Sequence, residues 1–261
     1  MKQLMHHLFS TTIGAGALLC CAALAPSAHA STVTLDFESL ADHLLGHNQT
    51  LAADGLLLTG FSNEAGARTG DFVGGIFNGA DGRLCASLAC PSNDASQYYA
   101  ATNDGVLFID PAKAGTTFAV KSFDASFVGA YADGAYPATA GYLEIQGYFA
   151  DGSYNYIDVP LFGPEADTGE FNFYHYQLTG IFGSQQFIGL GLFGYVCDSG
   201  SGSCSAFNSN RGQFALDNLV LDVVSPASAV PEPASYASLL LGLAGIAAAL
   251  RRRRTGDRGA A

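Results

Sequence analysis

The sequence predicts an all-β protein, a jelly-roll-like antiparallel β-sandwich, across residues 31–224. Three observations predict it. Short runs that are apolar or alternate apolar with polar residues recur along the whole stretch, as strands of a sandwich do. Gly, Asp, Asn and Pro interrupt them often: Ala-Asp-Gly stands at 53–55, 80–82, 132–134 and 150–152, and Asn-Asp-Gly at 103–105. Tight hairpin turns need positive φ, which these residues supply. No run is long enough, or 3.6-periodic enough, to compete as a helix.

The strands follow in order. Residues 32–38 (TVTLDFE) alternate Val33, Leu35 and Phe37 with polar neighbours. Residues 43–45 make one helical turn at most, and 55–61 start from the first Asp-Gly. Residues 72–77 form the next strand, and 97–101 and 106–109 flank the Asn-Asp-Gly turn. A long strand spans 116–128. Residues 142–149 and 154–160 are the clearest hairpin, turning at Asp151-Gly152. Aromatic 172–177, then 186–195, then 213–224 complete the set. The repeated Ala-Asp-Gly reads as turns, because its spacing is irregular and no EF-hand loop follows.

The two ends are not sandwich. Residues 1–30 carry Lys2, an apolar stretch and Ala28-His29-Ala30, the layout of a secretory signal peptide cut after Ala30. Residues 225–229 (SPASA) form a small-residue spacer. Residues 230–254 run Val230-Pro231-Glu232-Pro233, an uncharged apolar segment from Tyr236 to Leu250, then Arg251, Arg252, Arg253 and Arg254. As a helix the apolar segment rises roughly 22 Å, short of a bilayer core of about 30 Å unless counted from Pro233. The arginines would hold its end at the cytoplasmic side. Residues 255–261 form a disordered tail.

Charge divides sharply between body and ends. Residues 31–229 hold five basic residues (Arg68, Arg83, Lys113, Lys121, Arg211) against 21 acids, a net charge near −16. Such a surface excludes nucleic acid and polyanionic glycans as partners. It suits neutral sugars, bridging cations or plain solubility. Four cysteines lie in two close pairs, Cys85 with Cys90 and Cys197 with Cys204. Three connectivities are open, local pairing is the simplest, and the spacings are poor for a four-cysteine zinc site.

The tail resembles the PEP-CTERM sorting signal in all three parts: Pro231-Glu232-Pro233, apolar span, arginine cluster. That resemblance implies an exosortase, a membrane cysteine transpeptidase, as processing partner, after transient membrane insertion of the apolar helix. It implies a cut near Pro-Glu-Pro, sorting to the envelope exterior, and a Gram-negative bacterium that makes extracellular polysaccharide. Gln213, Phe214 and Asp217 in "GQFALDNLVL" resemble the signature of a QFxxD subgroup of PEP-CTERM proteins. The same segment resembles the closing strand of carbohydrate-binding jelly rolls, in which the first and last strands share a structural Ca²⁺. That resemblance makes Asp36, Glu38 and Asp217 a candidate calcium site, with Asp36 and Glu38 two apart on one strand face.

Other motifs exclude more than they assign. His43 and His47 are four apart, but Gly46 weakens any helix that would gather them on a metal. There is no G-x-S-x-G, P-loop or H-E-x-x-H, and the glutamates Glu38, Glu64, Glu144, Glu165 and Glu170 suggest no catalytic pair. Tyrosines 98, 99, 131, 136, 148, 154, 156, 174 and 176 cluster in strands and turns, where Tyr either forms sheet or stacks on sugars. The expectation is a non-enzymatic exported protein with a structural, adhesive or neutral-glycan-binding role. A secreted polysaccharide hydrolase and a passive coat protein are the alternatives.

Overall fold

The computed structural model describes residues 29–130, 135–226 and 238–246. Its strands are β1 (His29–Leu35), β2 (His43–Gly46), β3 (Thr50–Ala53), β4 (Leu56–Ser62), β5 (Phe72–Asn78), β6 (Leu88–Ala89), β7 (Gln97–Ala101), β8 (Gly105–Pro111), β9 (Thr117–Phe127), β10 (Gly129–Ala130), β11 (Thr139–Tyr148), β12 (Tyr154–Phe162), β13 (Tyr174–Gln177), β14 (Gly189–Cys197), β15 (Cys204–Ser205) and β16 (Phe214–Ser225). One sheet runs β13-β9-β16-β7-β5-β2, with β1 also on β16. The other runs β12-β11-β14-β8-β4-β3, with β15 on β14. All pairings within these two sheets are antiparallel.

The two sheets share one apolar core. Phe118, Phe123 and Phe127 from β9, Leu216, Leu219 and Leu221 from β16, Leu143 and Ile145 from β11, and Leu190 and Leu192 from β14 are all fully buried within it. Two glycines shape this core. A Cβ on Gly147 would collide with the Phe187 ring, and one on Gly141 with Phe127 and the backbone of Tyr195. A smaller cluster (Phe77, Tyr98, Ala100, Val128, Ala215) lies under the 79–96 segment, which the Cys85–Cys90 disulfide tightens.

Each strand read from the sequence is present, with ends shifted by a few residues. The structure corrects the reading at 43–45, which is not a helical turn but an edge strand. β2 lies against β5 where Gly74 and Gly75 carry no side chain, and a Cβ on Gly75 would strike the His43 carbonyl. β3 is a further edge strand that the sequence did not suggest. The turn at 54–55 has positive φ at both Asp54 and Gly55, and 103–104 has it at both Asn103 and Asp104. The turn at 132–134 lies outside the described residues.

The chain divides into two units, 29–226 and a second made of 1–28 with 227–261. In the second, residues 238–246 are helical. Among the described residues no helix is long and apolar enough to cross a membrane. The expected signal peptide, the sorting tripeptide and the arginine cluster lie mostly or wholly outside the described residues. β1 begins at His29, two residues ahead of the expected mature start, and Ala30 pairs with Val224.

Candidate functional site

The outer face of the β12-β11-β14-β8 sheet gathers the chemistry. Period-2 alternation sends Leu143 and Ile145 of β11 inward and Tyr142, Glu144, Gln146 and Tyr148 outward. Register then aligns them with neighbours. Glu144 lies opposite Asp158 on β12 and Phe193 on β14, Gln146 opposite Tyr156 and Gly191, and Tyr148 opposite Tyr154 and Gly189. Gly191 in turn faces Phe108 on β8. At about 4.8 Å per strand, the four strands make a patch roughly 15 Å across. Gly189 and Gly191 have no side chain to fill it, so Tyr148 lies over Gly191 and the Asp110 carboxylate over Gly189.

A hydrogen-bond chain crosses the patch. Tyr195 donates its hydroxyl to Glu144 Oε2 at 2.7 Å, Gln146 Nε2 donates to Glu144 Oε1 at 2.7 Å, and Tyr148 donates to Gln146 Oε1 at 2.8 Å. Both tyrosine protons are committed inward, so outward the chain offers chiefly acceptor lone pairs. Burial, the bond to Glu144 and the charges of Glu144 and Asp158 push the Tyr195 hydroxyl far above its usual range. Burial, then Tyr154, Glu144 and Asp110, push Tyr148 upward. Burial raises Asp110, and burial with Glu144 raises Asp158. Beside this network Tyr154 is 57% exposed and Tyr156 54%.

The tyrosines read from the sequence divide by position. Tyr98 and Tyr99 are fully buried. Tyr136 packs on Phe127 and Phe171 and accepts the Ala130 N–H. Tyr176 stacks on Phe123 and bonds the Pro160 carbonyl, and Tyr174 donates to Glu165. Only Tyr148, Tyr154 and Tyr156 among them join the patch, and Tyr131 lies outside the described residues. The reading missed Tyr195, Gln146, Asp110 and Asp158, and it left Glu144 unpaired where the fold sets Asp158 opposite. Its one local signal was the alternation Y-x-E-x-Q-x-Y at 142–148.

The calcium candidates are not gathered. β1 ends at Leu35, and Phe37 has φ 58°, so 36–38 is a turn and not a strand face. Asp36 accepts the Glu38 N–H at 3.2 Å, and Glu38 accepts the Gln97 N–H at 2.8 Å. Asp217 sits where β16 passes from β7 to β1, beside a bulge, and is 1% exposed. Its Oδ2 accepts from Ser96 and Asn218, while its Oδ1 has no partner. Burial pushes it up to about 8, and neighbouring Asp94 adds to the rise. Among the described residues no three His, Cys, Asp or Glu side chains are arranged to hold a metal, so this donor set does not fit Ca²⁺.

The remaining candidates are structural. Gln213 donates to the Val128 carbonyl and Phe214 is in the core, so Gln213 and Phe214 anchor the last strand. His47 accepts the Ser62 N–H at Nδ1, meets Asn48 at Nε2 and packs on Phe61, so neither nitrogen is left for a metal shared with His43. His175 lies in β13, bonded to Asp124 at 2.7 Å. Cys85–Cys90 and Cys197–Cys204 are disulfides. Two surface hollows of about 310 and 280 Å³ each contain one carboxylate, Glu165 and Asp198 respectively.

Comparison with known proteins bears on both parts of the chain. No curated protein matches it. Among solved structures it is similar to a family 29 carbohydrate-binding module (8% identity, 74% of this chain and 89% of that one, TM-score 0.33). It is also similar to TmCBM61, solved in complex with β-1,4-galactotriose (9%, 71% and 92%, 0.32). A third is the enzymatically active domain of bacteriophage CBA120 tailspike protein 4 (12%, 65% and 19%, 0.29). Backbones that agree this poorly say nothing about what this chain binds. Residues 229–254 match the PEP-CTERM protein-sorting motif, about a tenth of the chain, with Gln213, Phe214 and Asp217 outside the match. That span takes in Pro231-Glu232-Pro233 and the four arginines, so the chain ends in a PEP-CTERM sorting signal, the mark of a secreted, exosortase-processed protein at the cell surface.

Proposed function

We propose that this protein is exported, inserted transiently by its apolar tail, cut by an exosortase near Pro231-Glu232-Pro233, and left at the envelope exterior. There it binds, without cleaving it, extracellular polysaccharide that carries no acidic groups. The observation that carries the binding reading is the outer-face patch. Two tyrosines more than half exposed stand beside a fixed hydrogen-bonded row in which Tyr148, Gln146 and Tyr195 are half-buried and Glu144 is buried beneath them at 7% exposure. Tyrosine rings can cover the C–H faces of pyranoses, while sugar hydroxyls donate to the waiting lone pairs. Acidic polymers are repelled by Glu144, Asp158 and Asp110.

One feature favours hydrolysis instead: Glu144 and Asp158 face each other across β11 and β12. Both Glu144 oxygens are already bonded, which supports the non-catalytic reading. Co-sedimentation with the host's own extracellular polysaccharide tests both. Saturable retention of intact polymer, lost in Tyr154→Ala and Tyr156→Ala, supports binding. Shortened polymer makes the protein a hydrolase, and no retention leaves a passive coat protein.

A further inference from the structure

The patch belongs to a sheet with a one-sided charge. Its seven strands, β3, β4, β8, β11, β12, β14 and β15, contain no Lys, Arg or His. They contain three acids, Asp110, Glu144 and Asp158. Alternation places all three on the outer face. Register brings them to one patch: Glu144 stands opposite Asp158 and accepts from Tyr195 at 2.7 Å, while the Asp110 carboxylate lies over Gly189, two residues from the Gly191 that Tyr148 covers. A neutral glycan can donate its hydroxyls to such carboxylates, but it brings no charge to balance three of them on one face. A carboxylate so placed gains most from a ligand that brings a positive charge. A tyrosine face attracts an ammonium group as well.

We propose that the patch selects a glycan bearing free amino groups, a polymer of de-N-acetylated hexosamine, over its neutral and N-acetylated counterparts. Ring faces would lie on Tyr154 and Tyr156. Hydroxyls would donate to the Tyr148–Gln146–Glu144–Tyr195 chain, and ammonium groups would meet Asp158 and Asp110. The inference rests on the glycan-binding reading and narrows it to one chemical class. N-acetylation would remove the charge and turn an ammonium donor into a bulkier amide.

The test is calorimetric titration of the full-length protein with three short oligosaccharides of equal length. These are β-1,4-linked glucosamine, its N-acetylated form and the corresponding neutral glucose oligomer. At about pH 6 the amine is protonated, and about 0.15 M salt screens diffuse attraction. The expected result is that the glucosamine oligomer binds at least about tenfold more tightly than the other two. Asp158→Asn should remove that preference but keep the weaker neutral binding, Tyr156→Ala should weaken all three, and Asp222→Asn on the opposite sheet should change nothing. Equal or tighter binding of the neutral oligomer overturns the amine selection while glycan binding stands. Glucosamine binding that ignores Asp158→Asn and Tyr156→Ala places the contact elsewhere on the acidic surface and also overturns it. If none of the three binds, both readings fall.

Discussion

Replacing Asp217 with Asn should stabilise the protein, and the gain should grow with pH. Asp217 is 1% exposed, has one carboxylate oxygen without a partner and lies beside Asp94. Its folded-state pKa is pushed up from 3.8 to about 8. The unfolded chain releases this proton near pH 4, whereas the folded protein keeps it until about pH 8. Stability is therefore fully present below about pH 4, falls as pH rises through the interval, and levels off above about pH 8. At about 1.4 kcal/mol per pH unit, the ceiling at pH 7 is about 4 kcal/mol. Water reaching the carboxyl past Ser96 would reduce this to about 2 kcal/mol, or roughly 4–8 °C in Tm for a unit of this size. Asparagine keeps the shape, carries no charge and can donate to Asp94. The assay is thermal unfolding of both proteins at about pH 4, 7 and 9 in EDTA, so that no divalent cation neutralises the pair. Reading the difference between the two proteins cancels the titration of every other group. A variant no more stable than the parent at pH 9, or a gain as large at pH 4 as at pH 9, would refute the reasoning.

Gly147→Ala should lower stability by about 1–3 kcal/mol in urea unfolding, because its Cβ would meet the buried Phe187 ring. Asp104→Ala should cost about 2–4 kcal/mol by the same measurement. That carboxylate accepts the N–H groups of Ser209, Asn210 and Gly212, and truncation leaves them without an acceptor. Opening Cys85–Cys90 with paired serines should cost about 2 kcal/mol for so short a loop, read as a drop in Tm. Deleting Pro231-Glu232-Pro233 should block C-terminal processing, seen as a larger membrane-held species on immunoblots of host fractions. A tail still trimmed and released would overturn the exosortase assignment.

How much of this was legible beforehand depends on how local each determinant is. β11 and β12 could be read because alternation and the Asp151-Gly152 turn lie within one short stretch. β2 could not. His43-Leu-Leu-Gly has no alternation worth the name, and what makes it a strand is the pair of side-chain-free positions on β5, some thirty residues on. Asp36 and Glu38 misled for a related reason. Their alternation is correct for a strand, but Phe37 is fully buried at φ 58°, a backbone conformation an aromatic rarely takes. That cost of about 1–3 kcal/mol is offset by the ring's place in the core, against Tyr99. Core packing, not local pattern, ended β1 at Leu35.

The same contrast separates the sorting signal from the proposed binding patch. A sorting signal is read by its receptor as a stretch of chain, so Pro231-Glu232-Pro233, the apolar run and the arginines stand in order in the sequence and were found there. The outer-face patch draws on four strands spread from Asp110 to Tyr195, and its members meet only through register. One residue of slip between β11 and β14 would send Glu144 and Gln146 into the core and Leu143 and Ile145 onto the surface. The buried partners that forbid the slip, Phe187 under Gly147 and Phe127 under Gly141, therefore specify the site as much as the tyrosines do. Gly147→Ala should on this argument weaken glycan retention along with stability, although its new methyl would point into the core, against Phe187, and away from the patch.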